Sequence, residues 1–375
     1  MTLLRYIILA LFVMNISSAA LVYLGGGLGS AVSYLSFILL LGYYILVKKG
    51  KTNTWMIVLG ILYFTISGFN ISLKFFTGDD VGEADYFFIC IKYFIIVLGG
   101  YEIIRRTSNK EFFYFLLLGA CTIFLHATVL GGGSAVYGRF SGFYLNPNAG
   151  GFICISGYAI CYSIKNKKGR LIGQIIFTLM GLLTLSRTFI VLWVLLNVIS
   201  LKIDIKNIRI FLYGFGLLSL MLILSELLPV KNPRIEQLKA ITSNEEVSVS
   251  EINDDSRTDT WSLYFDRITA KPFFGNGFGT FTIKDEQRGI HGIHNTFLLV
   301  IGQAGLLPFI VIVIFYAQML YWSIRLFNHH PNLALQAIGL FFFLMASHVY
   351  FTHAFILFIS MWIQYQIEEN KKLLS

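Results

Sequence analysis

Residues 86–104 read YFFICIKYFIIVLGGYEII, and Arg105 and Arg106 follow at once. A stretch this long and this apolar, closed by two arginines, matches the roughly 17 to 25 residues that a helix needs to cross about 30 Å of hydrocarbon. Working outward, comparable runs lie near 4–24, 29–47, 54–73, 111–130, 148–164, 171–186, 188–203, 210–230, 294–322, 333–351 and 353–368. The fold expected is an all-α polytopic membrane protein with about 12 transmembrane helices. Composition agrees: the chain is 56% hydrophobic and 13% charged, against roughly 25% charged residues in a soluble domain. So few charges cannot cover a water-facing surface of this size. A soluble enzyme is excluded, as are disordered, collagenous, disulfide-framework and nucleic-acid-binding classes. Cys90, Cys121, Cys154 and Cys161 each sit inside an apolar run without CxxC or Cys/His spacing, and read as small buried hydrophobes. The start of the chain, with Arg5 before an apolar run, imitates a signal peptide. Because that run continues through Leu24, it reads instead as a retained first span.

The net charge of +9 is distributed by side. With the N-terminus in the cytoplasm, alternate connections carry Lys48, Lys49 and Lys51; Arg105, Arg106 and Lys110; Lys165, Lys167, Lys168 and Arg170; Lys202, Lys206 and Arg209; then Arg325. Lys371 and Lys372 follow in the tail. The opposite short loops are poor in basic residues and include Asp79, Asp80, Glu83 and Asp85. This alternation predicts both termini inside. Lys92 is the clear mid-span charge.

One outer connection is long. Residues 231–293 separate the first nine spans (1–230) from the last three and the tail (294–375). A polar excursion of this size among tight hairpins is where chemistry is expected. Within it Asp254-Asp255-Ser256 can cap an amphipathic surface helix running to about Ala270, with Pro272 just beyond. Trp261, Tyr264, Phe265 and Ile268 share one face of that helix, which suggests that it lies along the membrane surface. Arg257 is in its first turn, beside that face. The glycines of Gly275-Asn276-Gly277-Phe278-Gly279 read as tight turns and not as a dinucleotide fingerprint, because the strand and helix that such a site needs are missing.

Several polar residues collect on the outer side. Arg187 stands at the short junction between the seventh and eighth spans, where a guanidinium at the hydrocarbon edge is costly and usually has a partner or a function. Arg257 opens the surface helix, Arg288 follows later in the same loop, and His294-Asn295 marks the return to the membrane. Two guanidiniums offer bidentate forks for a diphosphate, and an imidazole can take a proton from a hydroxyl near neutral pH. An interfacial arginine snorkelling to headgroups, a solvated loop charge and a structural histidine are the plain readings of the same residues. The preceding outer loop supplies Arg139, Asn146 and Asn148 among aromatics, a composition suited to sugar hydroxyls but equally to an aromatic belt and an Asn-Pro-Asn helix cap. His348 and His353 flank the last outer turn. No metal-ligand spacing is present and no cofactor is expected.

Taken together, Gly142-Phe143-x-x-Asn146-Pro147-Asn148, Ser186-Arg187, Arg257-x-x-x-Trp261, Pro272-Phe273-Phe274-Gly275-x-Gly277-x-Gly279-Thr280-Phe281 and His294-Asn295-x-x-Leu298 before Gly305 resemble the bacterial O-antigen ligase and polymerase superfamily. The resemblance spans roughly residues 139–310. It implies a multispanning, metal-independent, inverting glycosyltransferase that uses undecaprenyl-diphosphate-linked saccharides at the outer face of the bacterial inner membrane. Arg187 and Arg257 are then implied to hold the lipid diphosphate, and His294 to activate or position the acceptor hydroxyl. Arg139, Asn146, Asn148, Trp261, Arg288 and Asn295 are the expected substrate-binding residues. The expected partners are the lipid-linked donor, a glycan or lipid-linked acceptor, the bilayer and a chain-length regulator, with no nucleic acid. Polymerisation of repeat units is favoured over ligation to a lipid A core, because Arg139 and Gly150 approximate an arginine-to-glycine spacing found in some polymerases. A flippase for lipid-linked oligosaccharides is the alternative from another class; it would call for charged residues through several spans.

Overall fold

The computed structural model describes residues 1–69, 83–130, 139–227, 257–282 and 292–371, and no strand occurs among the described residues. In chain order the helices are α1 (Thr2–Val13), α2 (Ile16–Tyr23), α3 (Gly26–Leu46), α4 (Thr54–Phe69) and α5 (Glu83–Ile95, carried through a wide turn at Ile96–Gly100 to Tyr101–Ile104). Next come α6 (Asn109–Leu125, extended by His126–Leu130), α7 (Pro147–Ile160), α8 (Lys167–Leu183), α9 (Arg187–Ser200) and α10 (Ile208–Leu227). After the long connection follow α11 (Arg257–Ala270), α12 (Thr296–Ala304), α13 (Leu306–Arg325), α14 (Pro331–Met345) and α15 (Ala354–Asn370). Each expected apolar run contains a helix. Among the described residues four are long and apolar enough to cross a membrane: Gly26–Leu46, Asp85–Ile104, Asn109–Leu130 and Leu306–Arg325. The pair α1 and α2, bent by 61°, adds a fifth if taken as one span. Twelve crossings are therefore more than helix length alone supports.

Two expected single spans are broken. The run 4–24 divides at Asn15, whose backbone is left-handed (φ 57). Its side-chain Nδ2 donates to the Phe143 carbonyl (2.9 Å), and its Oδ1 accepts from Ser18 Oγ (2.9 Å). The run 294–322 divides at Gly305 (φ 78). There the returning loop takes over the end of α12: Asn276 N–H donates to the Gly302 carbonyl (2.7 Å) and Gly277 N–H to that of Gln303 (3.0 Å). Those carbonyls would otherwise accept within a continuing helix, so the loop bonds replace the ladder. A Cβ at Gly305 would stand 2.0 Å from the Phe273 carbonyl oxygen. Gly305→Ala combines that clash with a positive-φ backbone (ψ -167) that is essentially confined to glycine and costs an L-residue about 1–3 kcal/mol. It should lower the melting temperature of the detergent-solubilised protein by several degrees, and an unchanged melting temperature would refute this account of the break.

The core is built around α7 and α15. Every residue from Ala149 to Ile160 is buried, as is every residue from Phe355 to Gln364. Small residues let neighbours approach α7 closely: Gly151 faces the Phe189 Cβ of α9, and Gly157 lies under the Phe177 ring of α8. Phe152 stacks on Phe343 of α14 (4.2 Å), and Phe112 of α6 on Trp362 of α15 (4.4 Å). By contrast α3 presents Leu28, Tyr34, Leu35, Ile38, Leu41 and Ile45 outward, an apolar surface suited to lipid. Charged groups close the basic ends of the bundle. Glu102 is paired with Arg105 (3.0 Å) and Arg106 (2.5 Å) and accepts from the Gly50 N–H (2.8 Å), while Arg5 pairs with Glu111.

The helix expected in the long loop exists as α11, but its aromatic face is divided. Tyr264 and Ile268 are buried against Phe281, Ile293 and Leu299, with Trp261 packed beside them. Phe265 is 63% exposed. Most of the stripe read as a lipid-facing surface therefore packs on protein. Its expected cap, Asp254-Asp255-Ser256, lies outside the described residues. The chain leaving α11 is pinned by Phe278, whose N–H donates to the Ser67 carbonyl (3.1 Å) and whose ring sits among Phe64 and Tyr86.

Candidate functional site

Three helices begin in the same way. Leu145 (φ 59), Leu185 (φ 46) and His294 (φ 44) are all left-handed, a conformation that costs an L-residue energy. Each is followed at once by a polar cap residue: Asn146 for α7, Ser186 for α9 and Asn295 for α12. Asn146 Oδ1 accepts from the N–H groups of Asn148 (2.8 Å) and Ala149 (3.4 Å). Ser186 Oγ accepts from Phe189 N–H (3.3 Å), and Asn295 Oδ1 from those of Phe297 (2.9 Å) and Leu298 (3.1 Å). Expected as sugar-binding groups, Asn146 and Asn295 thus have their carboxamide oxygens engaged in capping. Asn295 is 5% exposed, with its carboxamide oxygen turned onto the first N–H groups of α12.

The first two of these helix starts are tied together. Ser186 Oγ donates to Asn148 Oδ1 (2.7 Å), which also accepts from Arg139 Nη2 (3.3 Å); Arg139 Nε donates to the Thr184 carbonyl (3.4 Å). Arg139 and Asn148 therefore brace the junction that presents Arg187. The guanidinium-bearing Arg187 occupies the first helical position of α9 and is exposed.

Arg187 and Trp261 line one cavity of about 430 Å³, together with Thr188, Leu192, Met345 and Ala346. The Trp261 indole N–H donates to the Ile293 carbonyl (3.0 Å), one residue before His294. A single side chain of α11 thus faces the arginine and fixes the backbone next to the histidine. The His294 ring lies 4.8 Å from that of His348, centroid to centroid, and the Thr296 hydroxyl donates to the Ser347 carbonyl (2.6 Å). His353 instead contacts Thr352 Oγ1 (3.0 Å) and the Phe355 ring. Burial pushes the Tyr264 phenol above its ordinary pKa, with Arg267 opposing; it stays a neutral part of the support beneath Trp261. Arg257 begins α11 one turn before Trp261; its side chain and all of Arg288 lie outside what is described.

His126 is a positioning residue that sequence reasoning missed. Its Nδ1 accepts from the N–H groups of Ser141 and Gly142 (3.2 Å each), holding the turn that leads into α7. A histidine near the end of an apolar run gave no signal of this, because its partners are backbone groups fifteen and sixteen residues away. The arrangement can accept an oxyanion at Arg187 and a proton at an imidazole, with Trp261 between them.

Residues 172–313 match the family model described as O-antigen ligase. None of the curated proteins matches the chain. The matched segment runs from α8 to α13 and contains Arg187, Arg257, Trp261 and His294. With the long apolar helices it describes an integral membrane protein.

Proposed function

From the match of residues 172–313 to the O-antigen ligase family model, we propose that the chain is a metal-independent, inverting glycosyltransferase that polymerises saccharide repeat units carried on undecaprenyl diphosphate. The observation that carries this reading is the cavity shared by Arg187 and Trp261, with the Trp261 indole bonded to the carbonyl beside His294. In the reaction an acceptor hydroxyl attacks the anomeric carbon of the donor glycan. The new C–O bond forms as the bond from that carbon to the diphosphate oxygen breaks on the opposite face, which inverts the centre. His294 takes the hydroxyl proton, and the departing diphosphate keeps the electron pair. Arg187, joined by Arg257, stabilises the charge that develops there.

The distribution of basic residues among the connections supports cytoplasmic termini and a site at the outer face of a bacterial inner membrane. On that side begin α7 and α9, of 14 residues each, and α12, of nine. At 1.5 Å per residue α7 and α9 are about 21 Å long and α12 about 14 Å, shorter than the roughly 30 Å of hydrocarbon, which favours outer ends recessed below the headgroup level. A recessed site suits a reacting diphosphate held close to its lipid tail.

Ligation of a finished glycan to a lipid A core or another acceptor is the second reading, favoured by the description of the matched family. Purified protein given lipid-linked repeat units in the presence of chelator should produce a ladder of lengthening glycans on a gel. A single addition to a non-repeat acceptor identifies a ligase, and unchanged substrate in both assays refutes the glycosyltransferase reading.

A further inference from the structure

A second cavity, of about 150 Å³, lies where α1 breaks into α2. Its polar lining is Asn15, Ser17, Ser18, Ser33, Thr352 and Lys92, and none of the described residues lining it is acidic. Lys92 belongs to the span Asp85–Ile104 and sits seven residues, about 10 Å of helix, inside its Asp85 end. Its ammonium is 5.6 Å from the centroid of Phe37, another lining residue. No carboxylate pairs with it among the described residues. A cation at this depth is costly and ordinarily has an anionic partner or lines a polar path. The serine and threonine hydroxyls supply donors beside it, and the volume accommodates a phosphate group.

The cavity also touches the candidate site through one segment. Met345 and Ala346 line the Arg187 cavity, His348 meets His294, and Thr352 and Ala354 line the cavity at Lys92. The turn between α14 and α15 therefore separates two hollows, each lined by one Lys or Arg among the described residues.

We propose that the Lys92 cavity is a second lipid-phosphate site, which seats the phosphate of a membrane lipid beside the reaction centre. If that lipid is a polyprenyl diphosphate, the cavity holds the carrier of the acceptor while Arg187 holds that of the donor; this part rests on the function proposed above. A polymerase must bring two lipid-linked molecules together, and two cations on either side of the histidine pair provide for both. If the lipid is an anionic phospholipid, the same phosphate chemistry anchors the broken helix in the outer leaflet.

The test is lipid binding by the full chain in detergent, measured by native mass spectrometry with undecaprenyl diphosphate, phosphatidylglycerol and, as a neutral control, phosphatidylcholine. Lys92→Gln and Lys92→Met should weaken binding of one anionic probe at least tenfold, Lys92→Arg should retain it, and Arg187→Ala should leave this component in place. The probe that loses binding identifies the source. Equal binding of both anionic probes by the wild type and the two neutral variants, each with an unchanged melting temperature, overturns the proposal. Because no glycosyl transfer is read, this result is independent of the ladder assay.

Discussion

Arg187→Ala should reduce glycan transfer by a factor on the order of 10² to 10³, the usual cost of removing one preorganised group that meets charge developing in a transition state. The fold should be unaffected. Arg187 is exposed on the first turn of α9, and the groups that hold this junction, Ser186, Asn148 and Arg139, are bonded to one another and not through its guanidinium. Lys should rescue only partly, since an ammonium keeps the charge but loses the planar fork that grips two phosphate oxygens. The measurement is the initial rate with lipid-linked repeat units, next to a melting curve. A variant that retains full rate would remove the arginine from the reaction; one that fails to fold would show that the junction depends on it.

His294→Asn should lower the rate by about 10² to 10⁴, the range attributed to a positioned general base. Asparagine is chosen because His294 is left-handed (φ 44), a conformation that asparagine enters more readily than most residues. Stability should then hold while activity falls. The wild-type rate should decline on acidification, as protonation removes the imidazole's capacity to accept, and that decline should vanish from the residual activity of the variant. A variant whose pH profile retains the acid limb would assign the titration to another group, with His348 as the nearest imidazole.

Much of the helical layout was legible in the sequence because bilayer-length apolar runs are a strong signal. The breaks were not. Gly305 with Pro308 three residues on is a weak stop signal that the length of the apolar run hides; the helix ends there because loop residues Asn276 and Gly277, far earlier in the chain, claim its last carbonyls. Likewise the four residues Trp261, Tyr264, Phe265 and Ile268 show an apolar face without saying whether lipid or protein covers it. Arg187, Trp261 and His294 stood out as residue types at costly or interfacial positions. Their association could not be read, since it depends on one indole hydrogen bond to Ile293. The left-handed residues were invisible too, because leucine at 145 and 185 is an unfavourable choice for that backbone.

The shortness of α9 has a consequence for the bilayer itself. Val194 and Val198 are 36% and 55% exposed, a surface suited to lipid, yet its 14 residues leave this helix about 9 Å short of the hydrocarbon thickness. Such mismatch costs fractions of a kcal/mol per Å and is relieved by thinning of the surrounding leaflet. The dimple would form at the helix that carries Arg187. On the function proposed above, elastic deformation of the membrane, and not only affinity of the protein, would help to lower a diphosphate headgroup toward Arg187.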